Sequence, residues 1–340
     1  MALSKVTMGY NLVHIRKSVR QGILHLLRTA EKPIGEKIKV LYIAGAGRSG
    51  STLVDNLLGQ MDGFFAGGEI QHIWKRGILD NRLCGCGSPF WQCRTWTAII
   101  QKGFGRVDKA EVLEWHQTKE RLTRVRRIFF FLFRSKEHQY TELKPFLDIL
   151  KSLYHAIAAE TECRVIVDSS KSPLYLCLLR LIPTLDVYVI HLTRDPRAVG
   201  YSWLTPKPTR DPNAAPEMHR SNLYKSSLSW NTRNFLIELM IRKMPGRFVR
   251  VRYEDFINQP RHSLERILSV LNETPMKLPF VTDTSFQQSA NHLVAGNPSR
   301  LDTKQIVEIN EDVRWKKRMS TWDKFVVSIL TFPMRLYYKY

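Results

Sequence analysis

Four short stretches of the chain are rich in β-branched and aromatic residues, as is typical of buried β-strands. These stretches are KIKVLYIAG (37–45), CRVIVDSS (163–170), DVYVIHLTR (186–194) and RFVRVRYED (247–255). Longer segments between them carry apolar residues at helical spacing, for example 144–160 and 174–182. Strands that alternate with helices require crossover connections, which favour a parallel sheet covered by helices on both faces. The pattern therefore predicts a three-layer α/β/α protein with a mainly parallel central sheet.

The predicted strands and helices indicate one domain over residues 37–320. Two stretches interrupt the strand pattern, and we interpret them as helical insertions near 97–160 and 204–225 that build a substrate pocket or its lid. We expect residues 1–36 to form a basic helical extension and residues 321–340 to form a basic and aromatic tail.

The chain is strongly basic, with 52 lysines and arginines against 31 acids and a net charge of +21 over 340 residues. Such a charge favours polyanionic partners, whether nucleic acid, anionic lipid or a phosphate-rich cofactor. Cations and apolar residues alternate in residues 14–28 and 121–134, which fits either peripheral contact with a membrane or helices that cover the core. Neither segment is long enough to span a bilayer, and the N-terminus resembles no secretory signal, so we expect a cytoplasmic protein.

Three of the five cysteines, Cys84, Cys86 and Cys93, cluster in CGCGSPFWQC. An odd number of cysteines without a secretory signal argues against a disulfide framework. A zinc site would need a fourth ligand, for which His72 is the nearby candidate, and the first spacing is Cys-x-Cys rather than Cys-x-x-Cys. We therefore interpret the cluster as a tight structural turn and expect no metal; a metal site is the alternative.

Polar and charged residues follow each of the four predicted strands. The first strand leads into GAGRSGST, and the others lead into DSSK (168–171), TRDPR (193–197) and YED (253–255). Ligands of open parallel sheets bind beyond the carboxyl ends of the strands. The sequence therefore predicts a ligand site at this edge of the sheet.

The stretch YIAGAGRSGST, residues 42–52, predicts a strand-to-helix turn that binds an anion such as phosphate. Backbone N–H groups and the positive end of the helix dipole converge at such a turn. Gly45 and Gly50 have the spacing of the phosphate loop of nucleoside triphosphatases, but Ser51 occupies the position of its lysine. The nearest cation is Arg48, which disfavours an ATPase or kinase because the charge that steers the terminal phosphoryl group has moved.

GAGRSGST and HLTRDPRAVGYSW (191–203) together resemble the sulfotransferase superfamily, which has a P-loop-like fold and uses 3′-phosphoadenosine 5′-phosphosulfate as its donor. Other segments are similar too, namely DSSKSP (168–173), RYEDF (252–256), the cysteine cluster with Phe90 and Trp96, and HLVAGNPSRLD (292–302), which resembles the cofactor-covering loop of bacterial members. The resemblance extends over residues 38–320. It implies transfer of a sulfuryl group to a hydroxyl acceptor.

The resemblance also implies roles for individual residues. The first loop would hold the 5′-phosphosulfate through Gly47, Arg48, Ser49, Gly50, Ser51 and Thr52. Arg194 and Ser202, which are eight residues apart, would bind the 3′-phosphate, and Arg300 is a further candidate for that group. Lys171 would neutralise the charge that develops on the bridging oxygen. A sulfuryl group in transfer carries less charge than a phosphoryl group, so positioning and a few cations suffice without a metal ion.

A hydroxyl acceptor requires a base that removes its proton. Glu69 follows the short apolar stretch FFA, a candidate second strand, and would stand at the same edge of the sheet. It resembles the glutamate base of tyrosylprotein sulfotransferases, which share an arginine-led first loop. Because other sulfotransferases use histidine, His72 is the alternative base, and a helix-capping role is the alternative for Glu69.

Two other functions stay open at this stage. A P-loop phosphotransferase explains the glycine turn but not the position of Arg48, and a non-catalytic polyanion-binding protein explains the charge but not the residues at the strand ends. The chain has no zinc-finger spacing or recognisable RNA-binding motif, so no nucleic acid partner is expected. The motifs leave the acceptor open among a carbohydrate, a lipid-linked sugar, a tyrosine and a small alcohol, and they do not indicate an oligomeric state.

Overall fold

The central sheet has five parallel strands in the order β2-β3-β1-β4-β5. They are β1 (Ile38–Gly45), β2 (Phe64–Ala66), β3 (Val165–Lys171), β4 (Leu185–Thr193) and β5 (Phe248–Arg252). Four of them are the strands predicted from the apolar stretches, and β2 is the FFA stretch before Glu69. The predicted α/β class with a mainly parallel sheet is confirmed. Because β1 lies at the centre, the glycine turn leaves from the middle of the sheet.

The structure is a computed structural model that describes residues 37–275, 277–302 and 305–340. The predicted helical extension at 1–36, with its basic apolar segment at 14–28, lies outside the described residues.

Helices cover both faces of the sheet. Alternate side chains of β1 point to opposite faces and pack in two separate hydrophobic cores. Val40 and Tyr42 pack in one hydrophobic cluster, whereas Leu41 and Ile43 pack in the other. All four side chains are buried, and full burial of one aliphatic side chain contributes about 1.5–3 kcal/mol. The alternation fixes the register of the central strand, since a shift by one residue would exchange the two faces.

The helices in chain order are α1 (Ser51–Leu58), α2 (Arg94–Phe104), α3 (Lys109–Leu122), α4 (Ile128–Phe133), α5 (Lys136–Thr161), α6 (Pro173–Arg180), α7 (Pro196–Leu204), α8 (Leu223–Ile241), α9 (Tyr253–Asn258), α10 (Pro260–Leu271), α11 (Arg314–Arg318), α12 (Thr321–Leu330) and α13 (Met334–Tyr337). A small antiparallel sheet of β6 (Phe280–Thr282), β7 (Ser285–Gln287) and β8 (Ile306–Glu308) follows α10. The cluster of Val40 contains residues of α2, α5, α6 and α8, and the cluster of Leu41 contains residues of α1, α9 and α10.

The two predicted insertions differ in structure. Residues 97–160 contain α2 to α5, as the helical spacing predicts. Residues 205–222 form a loop with one isolated bridge between Pro208 and Glu217, and helix α8 begins only at Leu223. The helical prediction therefore does not hold for this second stretch. Its four prolines explain the difference, because a proline inside a helix removes an N–H donor and clashes with the preceding turn.

The basic segment at 121–134 forms the end of α3 and the short helix α4. Ile128 is buried against the core, whereas Phe129 and Phe133 are exposed. Every helix within the described part of the chain is too short or too polar to cross a bilayer. Peripheral contact with a membrane stays a prediction.

Candidate functional site

The glycine turn connects β1 to α1 through a backbone that few residue types adopt. Arg48 has φ 69° and Gly50 has φ 90°, so both lie in the left-handed region. Among the described residues, no side chain caps the N-terminus of α1. The first N–H groups of a helix have no partner within the helix, so this turn offers them to an anion.

Arg48 is held at the turn by an aromatic ring. Its guanidinium lies 4.7 Å from the centroid of Trp203 on α7, and its Nη1 donates to Met218 Sδ at 3.1 Å. A β-carbon at Gly47 would lie 2.8 Å from the same ring, so glycine is needed there. Burial lowers the pKa of Arg48, and its Nε has no hydrogen-bond partner in the described part of the chain. A buried cation with an unused donor favours an anionic ligand.

Arg194 reaches the same turn from the end of β4. Its Nη1 donates to the carbonyl oxygen of Arg48 at 3.1 Å, and its guanidinium lies 4.3 Å from the ring centroid of Tyr253. A side chain at Gly50 would collide with that ring. The Nε of Arg194 also has no hydrogen-bond partner among the residues described. Ser202, the predicted companion of Arg194, is buried on α7.

Lys171 links the glycine turn to Glu69. A register shift between β1 and β3 accompanies its position, and the residue has φ 65°. Its Nζ donates to Glu69 Oε1 at 2.7 Å, to Ser51 Oγ at 3.2 Å and to the Ser169 carbonyl oxygen at 2.8 Å. The structure therefore brings together three residues that the sequence predicts at one edge of the sheet.

Glu69 is surrounded by three basic side chains. Its Oε2 lies 3.3 Å from His72 Nε2 and 3.7 Å from Arg76 Nη1. Burial alone would raise the pKa of Glu69, but Lys171, His72 and Arg76 outweigh it and lower the pKa to about 2. Burial and the neighbouring Arg76 lower the pKa of His72 to about 3, so the imidazole is neutral at pH 7. A single 3₁₀ turn, Ile70–His72, follows Glu69, and the Glu69 side chain makes no capping bond to it, so the helix-capping alternative is not observed.

Two buried carboxyl groups bind the residues that precede Lys171. Asp168, at the end of β3, accepts hydrogen bonds from Ser170 N at 2.9 Å and Tyr154 Oη at 2.5 Å. Asp55, on α1, accepts a hydrogen bond from Ser169 Oγ at 2.5 Å. Burial raises the pKa of Asp55 to about 8 and that of Asp168 to about 6. Asp55 is therefore mostly protonated at pH 7, which leaves Glu69 as the charged partner of Lys171.

Residues 292–302, the covering segment, lie against the glycine turn. The N–H of Val294 donates to the Gly67 carbonyl oxygen at 3.1 Å, and the N–H of Asn297 donates to Thr52 Oγ1 at 3.2 Å. Arg300 is buried, with its Nη2 3.8 Å from Asp211 Oδ2, and burial lowers its pKa. Its Nη1 has no hydrogen-bond partner in the described ranges. A contact of Arg300 with a 3′-phosphate stays a prediction.

The loop at 205–222 adds a cation that the sequence analysis missed. Burial and the neighbouring Arg48 and Arg194 lower the pKa of Lys207 to about 8. No motif contains this lysine, and no periodicity marks its loop. Its proximity to both arginines arises only from the path of the loop after α7.

The cysteine cluster has a different neighbour from the one proposed. His72 contacts Glu69, whereas the side chain beside the cysteines is His292 of the covering segment. His292 was missed because it is distant from the cysteines along the chain.

The chain is similar to known sulfotransferases in sequence and in fold. Residues 41–276 match the family model described as "Sulfotransferase family". The sulfotransferase domain from the Synechococcus PCC 7002 olefin synthase is 20% identical, covers 89% of this chain and 98% of its own, and has a TM-score of 0.47. The sulfotransferase domain from the curacin biosynthetic pathway is 16% identical, covers 87% of this chain and 99% of its own, and has a TM-score of 0.48. Sulfotransferase STF1 from Mycobacterium tuberculosis H37Rv is 13% identical, covers 76% of this chain and 72% of its own, and has a TM-score of 0.42. None of the curated proteins compared matches this chain.

Proposed function

The chain belongs to the sulfotransferase family, and we propose that it transfers the sulfuryl group of 3′-phosphoadenosine 5′-phosphosulfate to a hydroxyl group of its acceptor. What carries this proposal is the convergence of Arg48, Arg194 and Lys207 on an uncapped glycine turn. Both arginines keep an unused buried donor among the described residues. Cations crowded together in this way are stabilised by an anion with more than one negative group.

The residues present fit the two charged ends of this donor. The backbone of the turn, with Arg48 and Lys171, would hold the 5′-phosphosulfate, while Arg194 and Ser202 would hold the 3′-phosphate. Arg300, buried on the covering segment, is a further candidate for the latter. When bound, the donor supplies an electrophilic sulfuryl group attached to a phosphate leaving group.

Lys171 and Glu69 would couple donor binding to removal of the acceptor proton. In the described arrangement the ammonium group of Lys171 stabilises the Glu69 carboxylate, which makes the carboxylate a weak base. If a phosphate oxygen takes the place of Glu69 as the partner of Lys171, the pKa of Glu69 rises. Glu69 then becomes a stronger base at the moment when Lys171 is placed to neutralise the leaving oxygen.

The acceptor is proposed only as a hydroxyl compound, such as a carbohydrate, a lipid-linked sugar, a tyrosine or another alcohol. Its hydroxyl must come within hydrogen-bond distance of Glu69 Oε1 or Oε2, or of His72 if that residue is the base. The ion pair between Glu69 and Lys171 at the strand edge has no role in a polyanion-binding protein without catalysis. A phosphotransferase is less well supported because Arg48 replaces the phosphate-loop lysine.

Ligand binding by the purified protein tests the donor. Titration calorimetry should show specific binding of the product nucleotide, 3′-phosphoadenosine 5′-phosphate, and no comparable binding of ATP with magnesium. Preference for ATP with magnesium would instead support the phosphotransferase. Incubation with radiolabelled donor and a panel of hydroxyl acceptors then identifies the acceptor class.

Arg194→Ala and Ser202→Ala are each expected to weaken binding of 3′-phosphoadenosine 5′-phosphate by about 10- to 100-fold. Each substitution removes a hydrogen bond to a charged phosphate, worth about 1.5–3 kcal/mol. Calorimetric titration measures the effect, and circular dichroism verifies the fold. Arg197→Ala is the matched control, because the Arg197 guanidinium is bound by Asp195 Oδ2 at 2.6 Å. Unchanged affinity in both variants would remove this helix from the donor site.

Nucleotide affinity is expected to fall as the pH rises above about 8. Lys207 has a pKa of about 8 in the free protein because burial and two arginines disfavour its charged form. A bound polyanion stabilises the ammonium form, so binding takes up a proton above this pH and weakens as protons become scarce. Calorimetry above pH 8 in two buffers of different ionisation enthalpy measures the uptake. Lys207→Met should abolish it, and equal pH slopes in both proteins would exclude Lys207 as a ligand.

A further inference from the structure

We propose that Cys84, Cys86, Cys93 and His292 bind a Zn²⁺ ion, which fastens the covering segment to the cysteine turn. The three Sγ atoms and a ring nitrogen of His292 all lie within 4.8 Å of one another. This site is separate from the proposed donor site, and zinc binding there is independent of the identity of donor and acceptor.

The distances from His292 to two of the cysteines match a tetrahedral zinc site. Bonds of about 2.3 Å to sulfur and 2.0–2.1 Å to nitrogen, at the tetrahedral angle, separate the two ligand atoms by about 3.5 Å. His292 Nδ1 lies 3.3 Å from Cys93 Sγ and 3.7 Å from Cys84 Sγ. Three cysteines and one histidine form one of the standard ligand sets of structural zinc sites.

The imidazole of His292 is oriented by contacts outside the cluster. The ring atom Nε2 lies 3.2 Å from Thr95 Oγ1. The backbone carbonyl oxygen of His292 accepts a hydrogen bond from Trp96 Nε1 at 2.7 Å. The Phe65 ring lies nearly parallel to the imidazole, with centroids 6.5 Å apart. When Nε2 carries the proton and donates to Thr95, the lone pair of Nδ1 faces the sulfur atoms, as a metal ligand requires.

The backbone around Cys84 accommodates the Cys-x-Cys spacing that argued against zinc in the sequence. The N–H of Cys84 donates to the Ser88 carbonyl oxygen at 2.8 Å, and the N–H of Gly87 donates to the Cys84 carbonyl oxygen at 2.9 Å. The N–H of Gly85 donates to the Leu293 carbonyl oxygen at 3.0 Å, so the turn also contacts the residue after His292. This compact turn places the Cys84 and Cys86 thiols close to each other and to His292.

Zinc binding here would release three thiol protons to solvent and leave a site with three thiolates and a neutral imidazole. Its net charge would be −1, and Arg300 lies within electrostatic range of Cys84. The ion would join two segments that are far apart, since Cys93 and His292 are separated by 199 positions. Its structural effect would be to hold the covering segment over Gly67 and Thr52.

Metal analysis of the full-length protein tests this site. Protein produced in zinc-supplemented medium should contain about one zinc ion per chain by inductively coupled plasma mass spectrometry. The expected metal content falls to near zero in Cys93→Ser and in His292→Ala. Cys177→Ser is the matched control, because Cys177 contacts Met240 Sδ outside the cluster, and it should keep its zinc.

The wild-type chain gives a second readout that needs no variant. Cys86 is half-buried and lines a cavity of about 350 Å³, which gives a mercurial reagent access to its thiol. Titration of the thiols should release the zinc in parallel, detected with a chromogenic chelator. Protein reconstituted with Co²⁺ should show the visible absorption of tetrahedral cobalt thiolate. Metal-free wild-type protein, a disulfide between any two of these cysteines, or zinc retained in both Cys93→Ser and His292→Ala would overturn the proposal.

Discussion

Glu69→Gln is expected to lower the turnover number by about 10²–10⁴-fold without lowering the affinity for 3′-phosphoadenosine 5′-phosphate. The amide keeps the size of the carboxylate and still accepts a hydrogen bond from Lys171 Nζ. It cannot take the proton of the acceptor hydroxyl, so the loss belongs to the transition state. Single-turnover assays at saturating donor measure the chemical step, and calorimetry measures the affinity.

Two further variants make the Glu69 result decisive. Glu265→Gln, on the exposed face of α10, makes the same chemical change at a residue outside the site and should keep the wild-type rate. His72→Ala removes the neighbouring imidazole, which lies 3.3 Å from Glu69 Oε2. If Glu69→Gln turns over at the wild-type rate and His72→Ala is inactive, then the histidine is the base and the assignment of Glu69 is wrong.

Lys171→Ala should lower both turnover and donor affinity, in contrast to Glu69→Gln. Lys171 would contact the phosphosulfate in the ground state and meet the charge on the leaving oxygen in the transition state. Loss of a hydrogen bond to a charged group costs about 1.5–3 kcal/mol in each state, which corresponds to about 10- to 100-fold effects. Steady-state kinetics over a range of donor concentrations separates the two effects.

Lys171→Ala has a second signature in the pH dependence of the reaction. Lys171 is the strongest of the groups that lower the pKa of Glu69, so its removal should raise that pKa. Because Glu69 must be ionised to act as a base, the acidic limb of the pH profile of kcat/KM, which reports the free enzyme, should move to higher pH. Lys151→Ala, on the surface of α5, is the matched control and should leave the limb in place. An unmoved limb in Lys171→Ala would show that the two side chains do not act together.

The fold was largely predictable because its strands are encoded locally. Each predicted strand is a short apolar stretch, and the carboxyl ends of parallel strands meet at one edge whatever their order. That rule places Arg48, Lys171 and Arg194 at the same edge without knowledge of the loops. The order β2-β3-β1-β4-β5 and the small antiparallel sheet depend on long-range pairing, which the local patterns do not contain.

The rest of the site depends on contacts between distant segments. Lys207 lies in a proline-rich loop whose path is not encoded by local patterns, and the two arginines near it come from two other segments. His292 belongs to a segment that is remote from the cysteines it contacts. Asp55 is one of several polar residues on α1 in the sequence, and only its burial in the folded protein raises its pKa, against the opposing effect of the Ser169 hydrogen bond.

The close approach of Gly47 to the Trp203 ring couples the substitutions that these two distant positions can accept. A larger residue at position 47 is compatible with the fold only if the ring at position 203 shrinks or moves. That second change would take away the surface over which the Arg48 guanidinium lies. Substitutions at these positions are therefore epistatic, because residues in direct contact do not contribute additively. Position 203 can change while Gly47 is kept, whereas a larger residue at position 47 requires a change at position 203 first, so the order of the two substitutions is constrained.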